Sequence, residues 1–327
     1  MTTRQSVSME DILFGVGHGR SQSVGNMEVI PLVDEGGVQD DSFDPPSGIS
    51  VGTSDYGTVD LRHPGENPTI IPTGAGWVVK QAAQDHALGS GGFVDGNSSK
   101  RIDTAMCIQQ SQGGLISHGD HDMLILPAQL RASALAMRKQ KQYNKLWGAI
   151  GEFIHGYGLS HGSSNLVLFL NNYSKQLDEF VAEFELVPNQ IGAVILVNGK
   201  LVGVEMAPTV EFWKALWNPL VRVCYGSFAI RYAGESQPGR GPLEIEEKSL
   251  DGIRAALQAS MRVAEDRTKR LVGKLREDKF LLGTVDDQMQ GYKFLTVGSP
   301  GSTAMAGQMV LSEAAKTAPY LSVCVKV

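Results

Sequence analysis

Long apolar runs are missing from this chain. No stretch approaches the roughly 18 to 20 residues that a bilayer crossing needs, so no membrane-spanning helix is expected. Met1 to Asp11 is polar, with no basic start and no apolar stretch behind it, so no signal peptide is expected either. Cysteine is scarce. Cys107, Cys224 and Cys324 are odd in number and far apart, which argues against a disulfide framework. Each sits in an apolar context, where free cysteine packs as a small hydrophobe, and the reading is a reducing, cytoplasmic location. Catalytic signatures are also missing: no Gly-x-Ser-x-Gly elbow, no His-Glu-x-x-His and none of the usual double-helix readers. The sequence therefore predicts no catalytic residue, no metal and no cofactor.

What is present is ordinary in bulk and uneven in distribution. The 327 residues are 42% hydrophobic and 20% charged, enough to bury a sizeable core. Much of the glycine, 38 residues in all, falls in the first hundred positions and predicts irregular loops there. The formal net charge is −6. Residues 1–67 hold eleven acids and three bases. Residues 131–145 hold Arg131, Arg138, Lys139, Lys141 and Lys145 without an acid, and residues 262–279 hold seven bases against four acids. Such segregation points to an anionic partner.

The hydrophobic pattern predicts an α+β fold, with mixed or antiparallel sheets packed on about four helices. Strands are expected at Met27 to Val33, in two short pieces over 68–80, and at about 102–110 and 121–126. Beyond Pro127, Tyr143, Leu146, Trp147, Ile150, Phe153, Ile154 and Tyr157 form one helical stripe, and Arg131, Arg138, Lys141 and Lys145 a second on another face. Further helices are expected from Ser174, over 209–230, and over 249–277, where Ile253, Leu257, Met261, Ala264, Leu271 and Leu275 share a face. Asn198-Gly199 between two apolar runs is a type I′ hairpin signal. Closing strands are expected near 292–297, 306–311 and 319–327. A strand- and loop-rich part, 1–126, and a helix-rich part, 127–327, are expected to form one integrated domain.

Several segments carry a resemblance. Asn26 to Leu32, Asn67-Pro68, Gly76, Lys80-Gln81, Cys107 and Met305 to Val327 carry it loosely, and Phe184 to Glu205, with Pro188, Gln190 and Gly192 before the hairpin, is its most specific stretch. On these the chain resembles the ARG- and rhodanese-phosphatase-superfamily-associated protein family of bacteria and phages, as a divergent, phage-encoded member. It departs at Ala82-Ala83, where the family has Asn-Arg, and at Ile108-Gln109-Gln110, where the family has an acid and Gly-Arg-Trp. The family name implies association with ADP-ribosylglycohydrolases. From this follows one functional reading, an enzyme or sensor for ADP-ribose or a related nucleotide, using Lys80, Gln81, Cys107, Gln190 and Glu205.

Local polar clusters have plainer explanations. His118-Gly119-Asp120-His121-Asp122 is rich in ligand-type residues but reads as a polar turn. Gly15-Val16-Gly17-His18-Gly19 lacks the strand before it and the helix after it that a phosphate loop needs. Ser160 to Ser164 reads as a loop with Ser or Asn capping the next helix.

The basic stripes support the other reading. Five bases without an acid cannot pair at i,i+4 within their own segment, so they need either an external anion or acids from elsewhere in the protein or its subunits. The first choice predicts a non-enzymatic accessory protein of phage transcription or replication that binds single-stranded DNA or RNA. In this reading Lys100, Arg101, Arg138, Lys141, Lys145, Arg267 and Lys274 contact phosphates. Trp77, Phe93, Tyr143 and Tyr173 would stack on bases, with Phe93 in a glycine-rich loop able to close over the strand. The acidic segments would face a polymerase or another protein.

Overall fold

The computed structural model describes residues 5–79, 83–119, 121–159, 164–234, 249–299, 305–315 and 317–326. Its centre is an antiparallel ten-stranded sheet. From one edge the strands run Ser6–Ser8, Lys279–Met289, Tyr292–Gly298, Met305–Ser312, Tyr320–Val325, Lys200–Met206, Gln190–Val197, Met27–Asp34 and Val16–His18, and Gln22–Val24 also pairs with Met27–Asp34. Gln190–Val197 is buried along its whole length, as a near-continuous apolar sequence predicts for a central strand. It turns back through Asn198 (φ 50°) and Gly199 (φ 72°), both left-handed, so the type I′ reading holds. The pairing of Gln190–Val197 with Met27–Asp34 places a strand from the first 126 residues inside the sheet of the last 201.

Three smaller sheets lie between residues 50 and 125. Ser98–Ile102, Thr58–His63, Ser50–Asp55 and Ile116–Gly119 form one, and Met106–Cys107, His86–Ala87, Ala75–Val79 and His121–Ile125 another. Gly92–Val94 pairs with Thr69–Ile71 in the third. The phosphate-loop look-alike at Gly15–Gly19 ends a short helix, turns at Gly15 (φ 73°) and continues as the strand Val16–His18.

Helices exceed the expected four because two predicted helices are each broken. The region after Pro127 forms Ala128–Ala136 and Trp147–Gly156, with turns between them, so no single helix carries the stripe Arg131 to Lys145. The region 209–230 runs as Val210–Asn218, a wider-wound stretch opened by Pro219, and Gly226–Arg231. Leu166–Asn172 is a further helix ahead of the expected one, and the Asn165 side chain caps it by accepting from Leu168 N, whereas Ser174–Glu183 has no side-chain cap. The helix Leu250–Glu277 buries only Thr268, Val272 and Leu275, and Leu257 and Met261 of its apolar face stay exposed. The strand Lys279–Met289, also not predicted, fills the gap between that helix and the closing strands.

The helix Ala128–Ala136 is riveted to the sheet by a buried ion pair. Arg131 Nη1 donates to Glu205 Oε1 at 2.6 Å, Tyr225 Oη donates to the same oxygen at 2.5 Å, and Arg131 Nη2 donates to Ser322 Oγ. Burial works against the guanidinium charge, and Glu205 outweighs it, holding the Arg131 pKa well above its ordinary value. Burial likewise lifts the Tyr225 phenol far above its usual range, so it stays a donor. Gly203 makes this possible. A Cβ there would lie 2.0 Å from Tyr225 Oη, two residues from Glu205 on the same strand face.

Removing one partner of such a pair strands the other charge in the core. Glu205→Gln is therefore expected to cost about 3–5 kcal/mol in urea unfolding. The double variant Arg131→Met/Glu205→Leu should be more stable than either single change.

Candidate functional site: an exposed aromatic patch and a polar cleft

The sequence left open whether the basic stretches meet an external anion or the protein's own acids. Most of them meet the protein's own acids. Arg131 is buried on Glu205. Arg138 donates from Nε to Asp286 at 2.8 Å, from Nη2 to Thr284 and from Nη1 to the Leu135 carbonyl, and is only 16% exposed. Lys100 donates to Asp287 and to the Phe93 carbonyl. Lys145 spends its ammonium on the carbonyls of Thr104, Ala105 and Gln140 at 3.0, 3.1 and 2.6 Å. Arg267 grips Glu28 through both nitrogens, and Arg276 reaches Glu10, so the second basic stretch is partly neutralised by the acidic N-terminal segment.

A phosphate would have to displace these partners, from a site only 16% exposed at Arg138 and from carboxylates already held at Lys100 and Arg267, so these cations and Lys145 are poor contacts for a strand. Three cations named from the sequence differ. Arg101 and Lys274 are exposed. Lys141 is 76% exposed and pairs with the exposed Asp103 at 2.7 Å. A surface pair of that kind is worth only about 0–1 kcal/mol, so a phosphate can compete for it.

The named aromatics divide in the same way. Trp77 is 2% exposed and Phe93 4%, both inside the main core, so neither presents a face to a base. Phe93 packs on Phe43 and Phe294. The glycine-rich loop around it is packed shut. A Cβ on Gly89 would lie 2.3 Å from the Ala134 carbonyl, and one on Gly91 2.4 Å from the Ile71 carbonyl. The glycines are there for close approach rather than for movement, which corrects the expected closing loop. Tyr173 is half-buried, with its hydroxyl on the Tyr157 carbonyl and its ring against Phe169.

Tyr143 is half-buried like Tyr173, but it stands beside an exposed ring. Its ring lies 5.4 Å from Tyr56, tilted by 40°, and 5.6 Å from Trp147, edge to face. Tyr56 is 52% exposed, on the turn between Ser50–Asp55 and Thr58–His63. Gly57 (φ 74°) allows that turn and the approach of Tyr143, whose Cβ would be 2.9 Å from a Cβ at residue 57. The trio is fixed from beneath: Trp147 Nε1 donates to the Cys107 carbonyl, Cys107 N to the Tyr143 carbonyl, and Ala105 N to the Gly57 carbonyl. Beside it, Lys141 holds Asp103, and Arg101 adds its charge to that carboxylate's surroundings. Tyr56 and Trp147 were missed by the sequence reading. Trp147 was assigned to a core stripe, and the one available signal for Tyr56 was an aromatic in the Asp-Tyr-Gly turn between two strands.

Next to the patch a cleft of about 340 Å³ opens between residues 88–93, Lys100, Arg138-Lys139 and Asp286-Asp287. Gln308, fully buried, organises its floor. Its amide nitrogen donates to Ser90 Oγ and Asp286, and its oxygen accepts from Gly91 N and Thr73 Oγ1. Asp287 accepts from Phe93 N and Lys100 on one oxygen. Among the described residues no group of three His, Cys, Asp or Glu stands together as a metal site, and no helix is long and apolar enough to cross a membrane.

Compared with known families, residues 15–291 match the ARG and Rhodanese-Phosphatase-superfamily-associated Protein domain. No curated protein and no solved structure matches the chain. Of the positions that the resemblance singled out, Lys80 and Gln81 lie outside the described residues, as do Asp120, the His118 side chain and Ser160 to Ser163. Gln190 is buried and ties Val187 N to the Gly192 carbonyl, and Glu205 serves Arg131. Cys107 is fully buried, and burial raises its thiol pKa, which leaves it a poor nucleophile.

Cys107 does stand opposite His86 across a strand pair, with Asp85 beside it. His86 Nδ1 is bonded to the Gln84 carbonyl, while His86 Nε2 and Gln84 Oε1 are buried with no partner among the described residues. Burial pushes Asp85 up to about 6 and His86 down to about 4. The two signs oppose. Asp85 contributes stability that is lost as pH rises through 6, and His86 contributes stability that is lost as pH falls through 4. Asp85→Asn keeps an acceptor for Val79 N and should raise the melting temperature at pH 7.5 but not at pH 4. In that variant stability should fall from pH 6.5 to pH 4, because the unfolded chain takes up a proton that buried His86 does not. Equal destabilisation at both pH values would contradict the assignment.

Proposed function

The chain belongs to the ARG and Rhodanese-Phosphatase-superfamily-associated Protein family, and from its own geometry we propose that it binds single-stranded nucleic acid without catalysing a reaction. One observation carries the proposal. Tyr56, Tyr143 and Trp147 form a fixed, partly exposed aromatic array, with Lys141 two residues from Tyr143 and Arg101 near the Asp103 that pairs with Lys141. Aromatic faces accept any base, at about 1–3 kcal/mol each, and they are reachable only where bases are not already stacked in a duplex. Lys141 and Arg101 supply phosphate contacts beside them. The role that suits such a surface is an accessory protein in transcription or replication, in a phage or its host.

The reading differs from a basic track in a measurable way. With two cations in contact, the salt slope for a single strand should be shallow, roughly −1.4 in log K against log salt. A track built from all seven named cations would give a slope near −5.

Fluorescence anisotropy with labelled single strands and duplexes of equal length is the direct test. Single strands should bind more tightly than duplexes, and Tyr56→Ala/Tyr143→Ala should weaken binding at least about tenfold, the loss of roughly 1.4 kcal/mol. Absence of binding at low salt, or equal binding of duplex, would overturn the proposal. ADP-ribose belongs in the same titration, because a response to it without any to the strand would favour the nucleotide reading.

A further inference from the structure

The cleft beside the patch has a chemistry the strand does not use. We propose that it is a separate site for a small phosphorylated ligand of the nucleoside monophosphate class. At about 340 Å³ it falls at the small end of the roughly 300–1,000 Å³ typical of small-molecule sites, too confined for a run of stacked bases.

Its lining is divided by chemistry. Partly exposed Ile102 gives the apolar side, with Ile71 and Leu88 closed beneath it. Asp286, Asp287 and Lys139 give the polar side. The two carboxylates are held chiefly through one oxygen each. Asp286 Oδ2 takes Arg138 and Gln308, and Asp287 Oδ2 takes Lys100 and Phe93 N. Their other oxygens are more lightly used: Asp287 Oδ1 accepts from Gln288 N, and Asp286 Oδ1 has Thr284 at 3.3 Å and Lys139 at 3.5 Å. Sugar hydroxyls are donors that fit such oxygens.

Lys139 is the cation with charge to spare. It is 65% exposed, and its 3.5 Å separation from Asp286 is longer than an ordinary hydrogen bond. Arg138 and Lys100 are neutralised by one aspartate each, which leaves a net charge of about +1 at the mouth, enough to favour a phosphate there.

The site is also preformed. Close approach at Gly89, Gly91 and Gly92 fixes one wall, and the four hydrogen bonds of buried Gln308 fix the floor. A ligand entering would pay little to order its surroundings.

Isothermal titration of the full chain with AMP, adenosine and inorganic phosphate tests this, with circular dichroism confirming that each variant folds. AMP should bind more tightly than adenosine or phosphate, at least about tenfold more weakly to Lys139→Ala, and not at all to Thr104→Trp, which puts a bulky ring on a residue that lines the cleft. Tyr143→Ala should leave AMP binding unchanged, which separates this site from the strand-binding patch. No AMP binding at millimolar concentration would overturn the proposal, as would binding that survives Thr104→Trp. Phosphate binding as tightly as AMP would reduce the cleft to an anion site and remove the nucleoside from the assignment.

Discussion

The buried contact between Arg131 and Glu205 is the constraint on which the rest of the arrangement depends. It takes a helix that starts at Pro127 and fixes it to the middle of the central sheet, through a strand that Gly203 keeps thin enough for Tyr225 to reach the same carboxylate. Because that helix is fixed, the residues just beyond its end are fixed too. Arg138 meets Asp286 and Lys139 stands at the cleft mouth. The turn from Gln140 is pinned by Lys145 to the carbonyls of Thr104 and Ala105. Tyr143 and Trp147 follow on that pinned turn, which is how an internal ion pair comes to set the geometry of a surface patch.

The cost of burying charge explains why so little of the basic character is available outside. An unpaired guanidinium in the core costs several kcal/mol, so Arg131 must have its acid. Partly buried Arg138 and Lys100 are under a weaker version of the same rule, and adjacent carboxylates on one strand, Asp286 and Asp287, meet it. Exposed pairs obey no such rule, and it is among them that Lys141 remains open to competition. Exposure, more than the number of bases in a segment, decides which cations can serve a partner.

The fold was legible where a local rule was strong. Asn198-Gly199 gave the hairpin, the apolar run before it gave the central strand, and the α+β class followed from blocks of strands and helices. What was not legible required knowledge of partners distant in sequence. Arg131 and Lys145 look alike in a helical projection, yet one is a core residue and the other caps carbonyls. Asp286 and Asp287 sit in a strand whose two register shifts against its neighbour break the simple alternation of side chains, and the periodicity did not reveal it. Trp77 and Phe93 were placed at the surface because basic or glycine-rich sequence surrounds them, but both neighbourhoods fold inward. Tyr56 was overlooked for the opposite reason: a lone aromatic in a turn has no periodicity at all.

The central claim is that a single strand lies on Tyr56, Tyr143 and Trp147 and not along the basic helices. Photo-cross-linking of a bromodeoxyuridine-containing single strand to the full chain, followed by mass-spectrometric mapping of the adducts, tests it most directly. The account predicts adducts on the segments that contain Tyr56 and on the segment from Tyr143 to Trp147, lost when the two tyrosines become alanine. Adducts confined to the helix Leu250–Glu277, or none at all, would contradict it.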